Sequence, residues 1–339
     1  MTISRLALAT ASLGLLTIAA AAEPTEYPLT VQNCGQELTF NSPPERVVTI
    51  GQSGTEMLYA LGLSEKVVGT AVWFNEVLPQ FGEQNSRVER LADNHPSFES
   101  VVAKEPELVT TQFEGHVGAQ GSVGTREQFN DLGVNVYAMP ADCVGKDNLV
   151  GGDGTRKTAF QIETVYQAIR ELSTIFDVQD RGAELEAELR GRVEAASAKA
   201  KALNLKDASA VVWFSSPDID LDPFVAGQKG IPAFILSQLG IRNIIESDEE
   251  WPSVGWERIA QADPDIIIIA RMDRRRFEAD DYEVKLKFLK DDPVTSEMTA
   301  VKEGRLVVVD AHAIHASIRI ADGIEVISEA LAKAGLPNR

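Results

Sequence analysis

Aromatic side chains recur next to short apolar runs of the sequence, where they could bind an organic ligand. Trp73 and Phe74 follow one such run, Phe113 follows a second, and Trp213 lies in a third. Aromatic rings bury a large apolar area, which suits a bulky and partly apolar ligand. Ordinary packing in the protein interior is the alternative role for the two tryptophans. We assign all four residues to a predicted ligand site.

A basic run adds cationic groups to these candidates. Residues 271–276 read Arg-Met-Asp-Arg-Arg-Arg and directly follow the apolar segment 265–270. Guanidinium groups bind carboxylates, catecholates and phosphates through paired hydrogen bonds. We expect Arg271 and Arg274 to face a ligand. The alternative is a solvated loop that pairs with the aspartates just beyond it.

Two of the four histidines lie close together near the end of the chain. His312 and His315 follow the apolar segment that ends at Asp310. An imidazole can ligate a metal or hydrogen-bond to a ligand oxygen, so we include both in the ligand site. Loop histidines that pack against the protein are the alternative. A direct metal site would need further ligands, such as His116, to converge on them, and we predict no such site.

A tight turn contributes two polar candidates. Gln52 and Ser53 lie in the sequence Gly-Gln-Ser-Gly-Thr at 51–55, after an apolar strand. The turn is similar to a nucleophile elbow, but Thr55 replaces the final glycine. The sequence also has no clear Asp and His pair to complete a triad. We therefore predict that both residues bind ligand and that the protein is not an enzyme.

All these candidates need sheets that bring strand ends together. Apolar strands alternate with helical stretches in both halves, which is typical of parallel sheets covered by helices. Ligands bind outside the carboxyl ends of such strands, and this rule adds Gln112 to the cleft-facing residues. Residues 180–203 contain no proline and are rich in helix formers, so they predict one long helix.

The two halves of the chain share a repeated pattern. Residues 98–109 and 256–267 each read aromatic, Glu, short helix, acidic-Pro-acidic and apolar strand. We therefore predict an α/β fold of two similar lobes with parallel-type sheets, joined by a single long helix, with a ligand cleft between the lobes. The predicted parts are a signal peptide at 1–22, an N-terminal lobe at 23–178, a linking helix at 179–204 and a C-terminal lobe at 205–339.

Charge and targeting features limit the function further. The 339 residues include 32 Lys+Arg and 51 Asp+Glu, a net charge of −19. This charge argues against nucleic acid and anionic lipid as partners.

The N-terminal segment is typical of a cleaved secretory signal peptide, with Arg5, then an apolar run, then the small residues Ala20 and Ala22. In an oxidising compartment the two cysteines favour a Cys34–Cys143 disulfide, with two unpaired thiols as the alternative.

Segments from both halves together form a specific pattern. They are PERVV at 44–48, TEMLYALG at 55–62, FE at 98–99 with EPELV at 105–109, WPSV at 251–254, and WE at 256–257 with DPDI at 263–266. Over residues 28–335 the chain resembles the class III periplasmic substrate-binding proteins of ABC importers. This branch of the family binds ferric siderophores, haem and cobalamin.

The resemblance implies a function that needs no catalysis. A monomeric periplasmic protein would capture a ferric siderophore or similar iron chelate and deliver it to an inner-membrane ABC permease. No cofactor is expected, because iron would arrive only within the chelate. By position, Glu99 and Glu257 are the glutamates that dock against permease arginines in this family; favourable charges at helix starts are the alternative. A corrinoid or haem carrier, or a direct zinc or manganese binder, remains an alternative function.

Overall fold

The computed structural model describes residues 22–119, 121–203 and 208–334. The predicted signal peptide therefore lies outside the described residues except for Ala22. No helix in these ranges is both long and apolar enough to cross a membrane.

Strands of both lobes are short and mostly buried. They are β1 (Leu29–Asn33), β2 (Gln36–Phe40), β3 (Val47–Ile50), β4 (Val67–Ala71), β5 (Arg90–Ala92), β6 (Leu108–Thr111), β7 (Asn135–Ala138), β8 (Lys146–Asp147), β9 (Thr155–Arg156), β10 (Ser209–Ser215), β11 (Phe224–Val225), β12 (Arg242–Asn243), β13 (Ile266–Arg271) and β14 (Leu306–Asp310).

Helices cover the sheets and connect their strands. They are α1 (Gln52–Ala60), α2 (Gly82–Asn85), α3 (Phe98–Val102), α4 (Arg126–Asp131), α5 (Glu163–Ile175), α6 (Gln179–Ala202), α7 (Ile231–Leu239), α8 (Trp256–Ala262), α9 (Tyr282–Asp291), α10 (Thr299–Lys302) and α11 (Ile320–Ala334). Short 3-10 turns lie between several of them.

Each lobe is built on one five-stranded sheet. The first has the order β5-β4-β3-β6-β7 and is parallel throughout. The second has the order β11-β10-β13-β14, with β12 beside β10, and only β11 runs antiparallel. Continuous apolar strands such as Val47–Ile50 and Ile266–Ala270 are buried, as expected for sheets with helices on both faces. The predicted fold class is confirmed.

Helix α6 joins the two lobes. Its 24 residues span roughly 36 Å at 1.5 Å per residue. Leu185, Leu189 and Val193 recur every four residues on its buried face. This face packs against α5 of the first lobe and against α7 and α11 of the second. Because one apolar core runs through both lobes and α6, the helix acts as a shared support.

A disulfide and a hairpin hold the segment around Cys143 in place, close to the space between the lobes. A disulfide joins Cys34, in the β1–β2 turn, to Cys143, with Cα atoms 5.7 Å apart, as the sequence predicts. Beyond Cys143, the glycine-rich segment folds into the β8–β9 hairpin, which hydrogen-bonds to the second lobe. Arg156 N–H donates to the Asp248 carbonyl at 2.8 Å. The hairpin is therefore a second connection between the lobes, besides α6.

Candidate ligand-binding site

A cavity of about 410 Å³ lies between the two lobes. Its lining follows strand ends: Val72 comes after β4, Gln112 after β6 and Met139 after β7, while Phe214 lies near the end of β10. The carboxyl ends of both parallel sheets therefore meet at this cavity, where α/β folds bind ligands. We take it as the candidate ligand-binding site.

Aromatic rings from both lobes surround His315 in this cavity. The ring centre of His315 lies 5.1 Å from that of Phe74, 6.0 Å from Phe113, 5.4 Å from Phe214 and 5.8 Å from Trp251. Trp251 also stacks on Phe214, with the ring centres 4.6 Å apart. We call these five residues the aromatic cluster. It offers an apolar, polarisable wall to a bulky ligand.

His315 is neutral at pH 7, and its tautomer is defined. Burial lowers the pKa of His315 to about 4. Its Nδ1 lies 2.6 Å from the Ala311 carbonyl oxygen, which can only accept a hydrogen bond, so Nδ1 carries the proton. The lone pair of His315 is therefore on Nε2, which can accept a hydrogen bond or ligate a metal.

A second histidine reaches the cavity from the first lobe. His116 lines it, and burial lowers its pKa to about 3, so it is also neutral at pH 7. Its ring lies 5.5 Å from that of Phe113, between centres. Within the described ranges, no three His, Cys, Asp or Glu side chains are grouped as a metal ion would need.

Two cations of the cavity wall are already paired with carboxylates. Lys146 Nζ lies 2.5 Å from Asp142 Oδ1. Arg156 of the β8–β9 hairpin forms a buried ion pair with Glu250 of the second lobe, and it also donates to the Ala141 carbonyl at 3.1 Å. These groups hold the wall together and leave little net charge for a ligand.

Arg274 and Arg276 supply further positive charge. Both line the cavity. The Arg274 guanidinium lies 4.6 Å from the Phe74 ring centre, in a cation–π contact. Its Nε is 3.9 Å from the carboxylate of Asp280, beyond hydrogen-bond distance. Arg276 has no carboxylate within 4 Å among the described residues. Asp153 also lines the cavity and interacts electrostatically with Arg276, so Arg274 is the cation that can bind an anionic group next to the aromatic cluster.

Asp280 positions the loop that carries these arginines. Its side chain is fully buried. One oxygen accepts from the Arg276 and Phe277 backbone N–H groups at 2.8 and 3.0 Å, and the other accepts from Ser215 Oγ at 2.6 Å. The carboxylate thus joins the arginine loop to the end of β10, and both of these segments line the cavity.

Five of the predicted residues line the cavity, namely Phe74, Gln112, Phe113, Arg274 and His315. The placement predicted for the two tryptophans is wrong, because both point into the interior of their lobes. Trp73 Nε1 donates to Thr70 Oγ1 at 3.1 Å, and Trp213 packs edge-on against Trp256, with centres 4.7 Å apart. Successive side chains of a strand face opposite sides, so Phe214 faces the cavity and Trp213 faces the core.

Gln52 and Ser53 do not line the cavity and are fully buried. The prediction that these two residues contact the ligand is therefore wrong. Gln52 Oε1 accepts from the Phe74 backbone N–H at 3.2 Å, so it positions a lining residue. Ser53 Oγ is 3.4 Å from His312 Nε2. His312 Nδ1 has no partner among the described residues, so nothing orients this pair as in a catalytic triad.

Two other predicted positions also differ from the structure. His312 is fully buried and does not line the cavity, in contrast to its neighbour His315. Arg271 is not a lining residue either. Its side chain is 45% exposed and lies 3.8 Å from Asp310, because it occupies the last position of β13 and points away from the cavity.

Residues that the sequence-based site omitted complete the lining. In the sequence, Trp251 stands out only as part of the WPSV segment at 251–254, and Arg276 belongs to the basic run from which we expect Arg271 and Arg274 to face the ligand. The hairpin residues Lys146 and Arg156 lie in and just after a glycine-rich segment that has no periodic apolar pattern. The glycine-rich composition of 145–154 was the available indication, since such segments allow unusual backbone turns.

The two candidate docking glutamates occupy matching positions. Glu99 is the second residue of α3 and Glu257 the second residue of α8, and both are exposed. In the described part of the chain neither has a basic partner within 4 Å. Each is therefore free to meet a cation of another protein.

The fold and the cavity define a two-lobed α/β protein of the binding-protein class, with the candidate site between lobes joined by a single long helix. A family model described as "Periplasmic binding protein" matches residues 47–313. The chain belongs to this family, within its class III substrate-binding proteins of ABC transporters.

Similar proteins share most of this architecture. An uncharacterised ABC transporter substrate-binding lipoprotein, YvrC of Bacillus subtilis, is 24% identical over 90% of this chain and 86% of its own length. A vitamin B12-binding protein of Pectobacterium atrosepticum is 22% identical over 67% of this chain and 71% of its own. The structure of an ABC-type Fe3+-hydroxamate transport system protein from Saccharomonospora viridis is 27% identical, with a TM-score of 0.71, and the match covers 90% of this chain and 99% of that one. These relatives are transport proteins and not enzymes.

Proposed function

We propose that the protein captures a ferric siderophore or similar iron chelate in the periplasm and delivers it to an inner-membrane ABC permease. The observation that carries this proposal is the combination of the aromatic cluster with the available guanidinium group of Arg274. Burial of a ligand's apolar groups against the rings would supply affinity. Arg274 would bind the negative charge that many iron chelates carry.

A haem or corrinoid cargo is the second candidate, and His315 favours it. A neutral imidazole whose Nδ1–H donates to a backbone carbonyl is the arrangement that metal-ligating histidines use. Nε2 of His315 could therefore bind an open axial position of a metal macrocycle. A siderophore that fully surrounds its iron has no such position. Bare zinc or manganese finds less support, because the described residues do not group three suitable ligands.

Delivery would depend on Glu99 and Glu257. Matching exposed carboxylates on two similar lobes suit a permease with two-fold symmetry, and charge pairs of this kind guide and orient an encounter. We also propose that the N-terminal segment is a cleaved signal peptide, that the exported protein is a monomer, and that it holds no cofactor of its own.

Trp251 provides a direct test, because its indole lines the cavity and would be quenched by a bound metal chelate. We would titrate the protein with a ferric tris-catecholate, a ferric trihydroxamate, haemin and cyanocobalamin, and follow tryptophan fluorescence. The proposal predicts saturable quenching by one of the iron chelates and a smaller amplitude in Trp251→Phe. Quenching by haemin or cyanocobalamin alone would favour the second candidate, and no saturable response to any probe would contradict both.

A further inference from the structure

Gln112 is held in place by the turn that precedes α1. A Cβ atom at Gly51 would lie 2.3 Å from the Cβ of Gln112, so a larger residue at position 51 would displace the glutamine. Gly51 also has a φ of 135°, which side-chain-bearing residues rarely adopt. Glycine at 51 therefore allows both the turn and the close approach of Gln112.

The orientation of the Gln112 amide is determined by its neighbour. The Ser53 backbone N–H donates to Gln112 Oε1 at 3.1 Å. An amide NH2 group could not accept this hydrogen bond, so the contact distinguishes the oxygen from the nitrogen. Nε2, with two N–H donors, is the end of the amide that remains for other partners.

That nitrogen is buried and has no hydrogen-bond partner among the described residues, and it belongs to a side chain that lines the cavity. Gln112 as a whole is 5% exposed. Buried polar groups are nearly always paired, and leaving one unpaired is costly. Arg274 of the opposite lobe also lines the cavity, and its Nε is likewise buried without a hydrogen-bond partner in this part of the chain. Donors on both lobes therefore lack the acceptors that a ligand could bring.

We propose that Gln112 is a specificity-determining residue that donates a hydrogen bond from Nε2 to an oxygen atom of the cargo. This inference rests on the proposed binding function and narrows it. The cargo must present an acceptor oxygen, as in a hydroxamate, catecholate or carboxylate, to the first lobe. A ligand that lacks this oxygen would leave the amide unpaired, and sites built around hydrogen bonds reject such analogues strongly.

The variant Gln112→Glu tests the donor directly. The glutamate keeps the size of the side chain and an oxygen for the Ser53 N–H, but at pH 7.5 it offers no N–H to the cargo. We expect about tenfold weaker binding of the ferric tris-catecholate and the ferric trihydroxamate. At pH 5.5 a buried carboxyl group begins to take up a proton and can donate again. The affinity relative to the unmodified protein should then recover by about threefold or more.

Thr110→Val is the matched control. Thr110 Oγ1 is likewise buried and unpartnered among the described residues, lies two positions earlier in β6, and does not line the cavity. Loss of this hydroxyl group should leave the affinities for the two ferric chelates within about twofold of those of the unmodified protein. Gln112→Met serves as a second variant if Gln112→Glu fails to fold. It should show the loss of affinity without any recovery at low pH.

The outcomes separate this inference from the proposed function. Weaker binding by Gln112→Glu with recovery at pH 5.5 supports the donor role. Unchanged affinity in both Gln112 variants, when the unmodified protein binds the probes, overturns it and leaves the proposed function standing. If the unmodified protein binds neither iron chelate, the proposed siderophore function fails first and the assignment of Gln112 falls with it.

Discussion

Arg319 and Glu56 form a buried ion pair that joins the two lobes. Arg319 Nε donates to Glu56 Oε2 at 2.8 Å, and a second bond joins Nη2 to Oε1. Glu56 belongs to α1 of the first lobe, whereas Arg319 precedes α11 of the second. Arg319 also donates to the Glu76 carbonyl at 2.7 Å. The lobes are therefore held together by a charged contact that is separate from α6 and the β8–β9 hairpin.

Removing the charge of Glu56 should destabilise the protein strongly. Glu56→Gln leaves the Arg319 guanidinium buried, and among the described residues Asp310 is then the one carboxylate within 4 Å of it, at 3.1 Å. Breaking one partner of a buried pair costs about 3–5 kcal/mol, so we expect a loss near the lower end of that range. Urea unfolding measures it. A loss below about 1 kcal/mol, comparable to a surface pair, would show that this contact does not hold the lobes together.

Stability should fall as the pH drops below about 6.5. The pKa of His315 is about 4 in the folded protein and near 6.5 when unfolded. The unfolded chain therefore binds more protons, and the stability present above pH 6.5 is lost progressively towards pH 4. Urea unfolding at pH 7 and pH 5 should differ by about 1–2 kcal/mol from this residue. In His315→Gln the difference should shrink, and an unchanged pH dependence would contradict the assignment.

Asp280→Asn should weaken ligand binding although Asp280 is not a lining residue. Asparagine cannot accept all three hydrogen bonds from Ser215, Arg276 and Phe277, so the arginine loop should lose its fixed position. We expect about tenfold weaker binding of the ferric tris-catecholate in a fluorescence titration. The control is Asp281→Asn. Asp281 lies immediately before α9 and its side chain accepts a hydrogen bond from the Glu283 N–H, a role that asparagine also fills well. Equal effects of the two variants would argue against a positioning role for Asp280.

Arg274→Met should discriminate between ligands by charge. Methionine keeps an apolar contact with Phe74 but removes the cation. A charge-assisted hydrogen bond contributes about 1.5–3 kcal/mol, so binding of the anionic tris-catecholate should weaken about tenfold or more. Binding of the neutral trihydroxamate should change less. Isothermal titration calorimetry with each ligand, at low and at high salt, measures this difference. Equal losses of affinity for the two ligands would show that Arg274 acts by packing alone.

Charge reversal at Glu99 and Glu257 should block uptake and spare ligand binding. The double variant Glu99→Arg/Glu257→Arg would place like charges against the arginines that we expect on the permease, while neither residue lies at the cavity. We expect at least a tenfold lower uptake rate in cells, because like-charge contacts suppress association. Reversal at the exposed Glu127 is the control. Full uptake by the double variant, with normal ligand affinity, would remove these residues from the docking surface.

Strand order and repeated segments were sufficient to predict the fold, because apolar strands and proline-ended helices are local features of the sequence. The rule that ligands lie at strand ends also placed Phe74, Phe113 and Arg274 correctly at the cavity. It failed for Trp73 and Trp213 because the rule does not say whether a side chain near a strand end points into the cavity or into the core. That choice is set by register and by neighbours such as Trp256.

Other parts of the site depend on contacts between distant segments. Trp251 reaches the cavity through a loop whose Ser253 bridges to Phe224, and the β8–β9 hairpin is ordered by pairing with the second lobe. Neither contact has a periodic pattern in the sequence. The role of Gln112 likewise depends on which of its amide atoms is already paired, and only the structure provides that information.

Native mass spectrometry of the protein isolated from its own periplasm tests the central claim most directly. If the two lobes enclose an iron chelate, the spectrum should show an adduct whose mass and isotope pattern contain iron together with an organic ligand. Phe214→Ala combined with Arg274→Met should lose that adduct. A bare metal ion, or a protein that carries no adduct while its permease is active, would contradict the account.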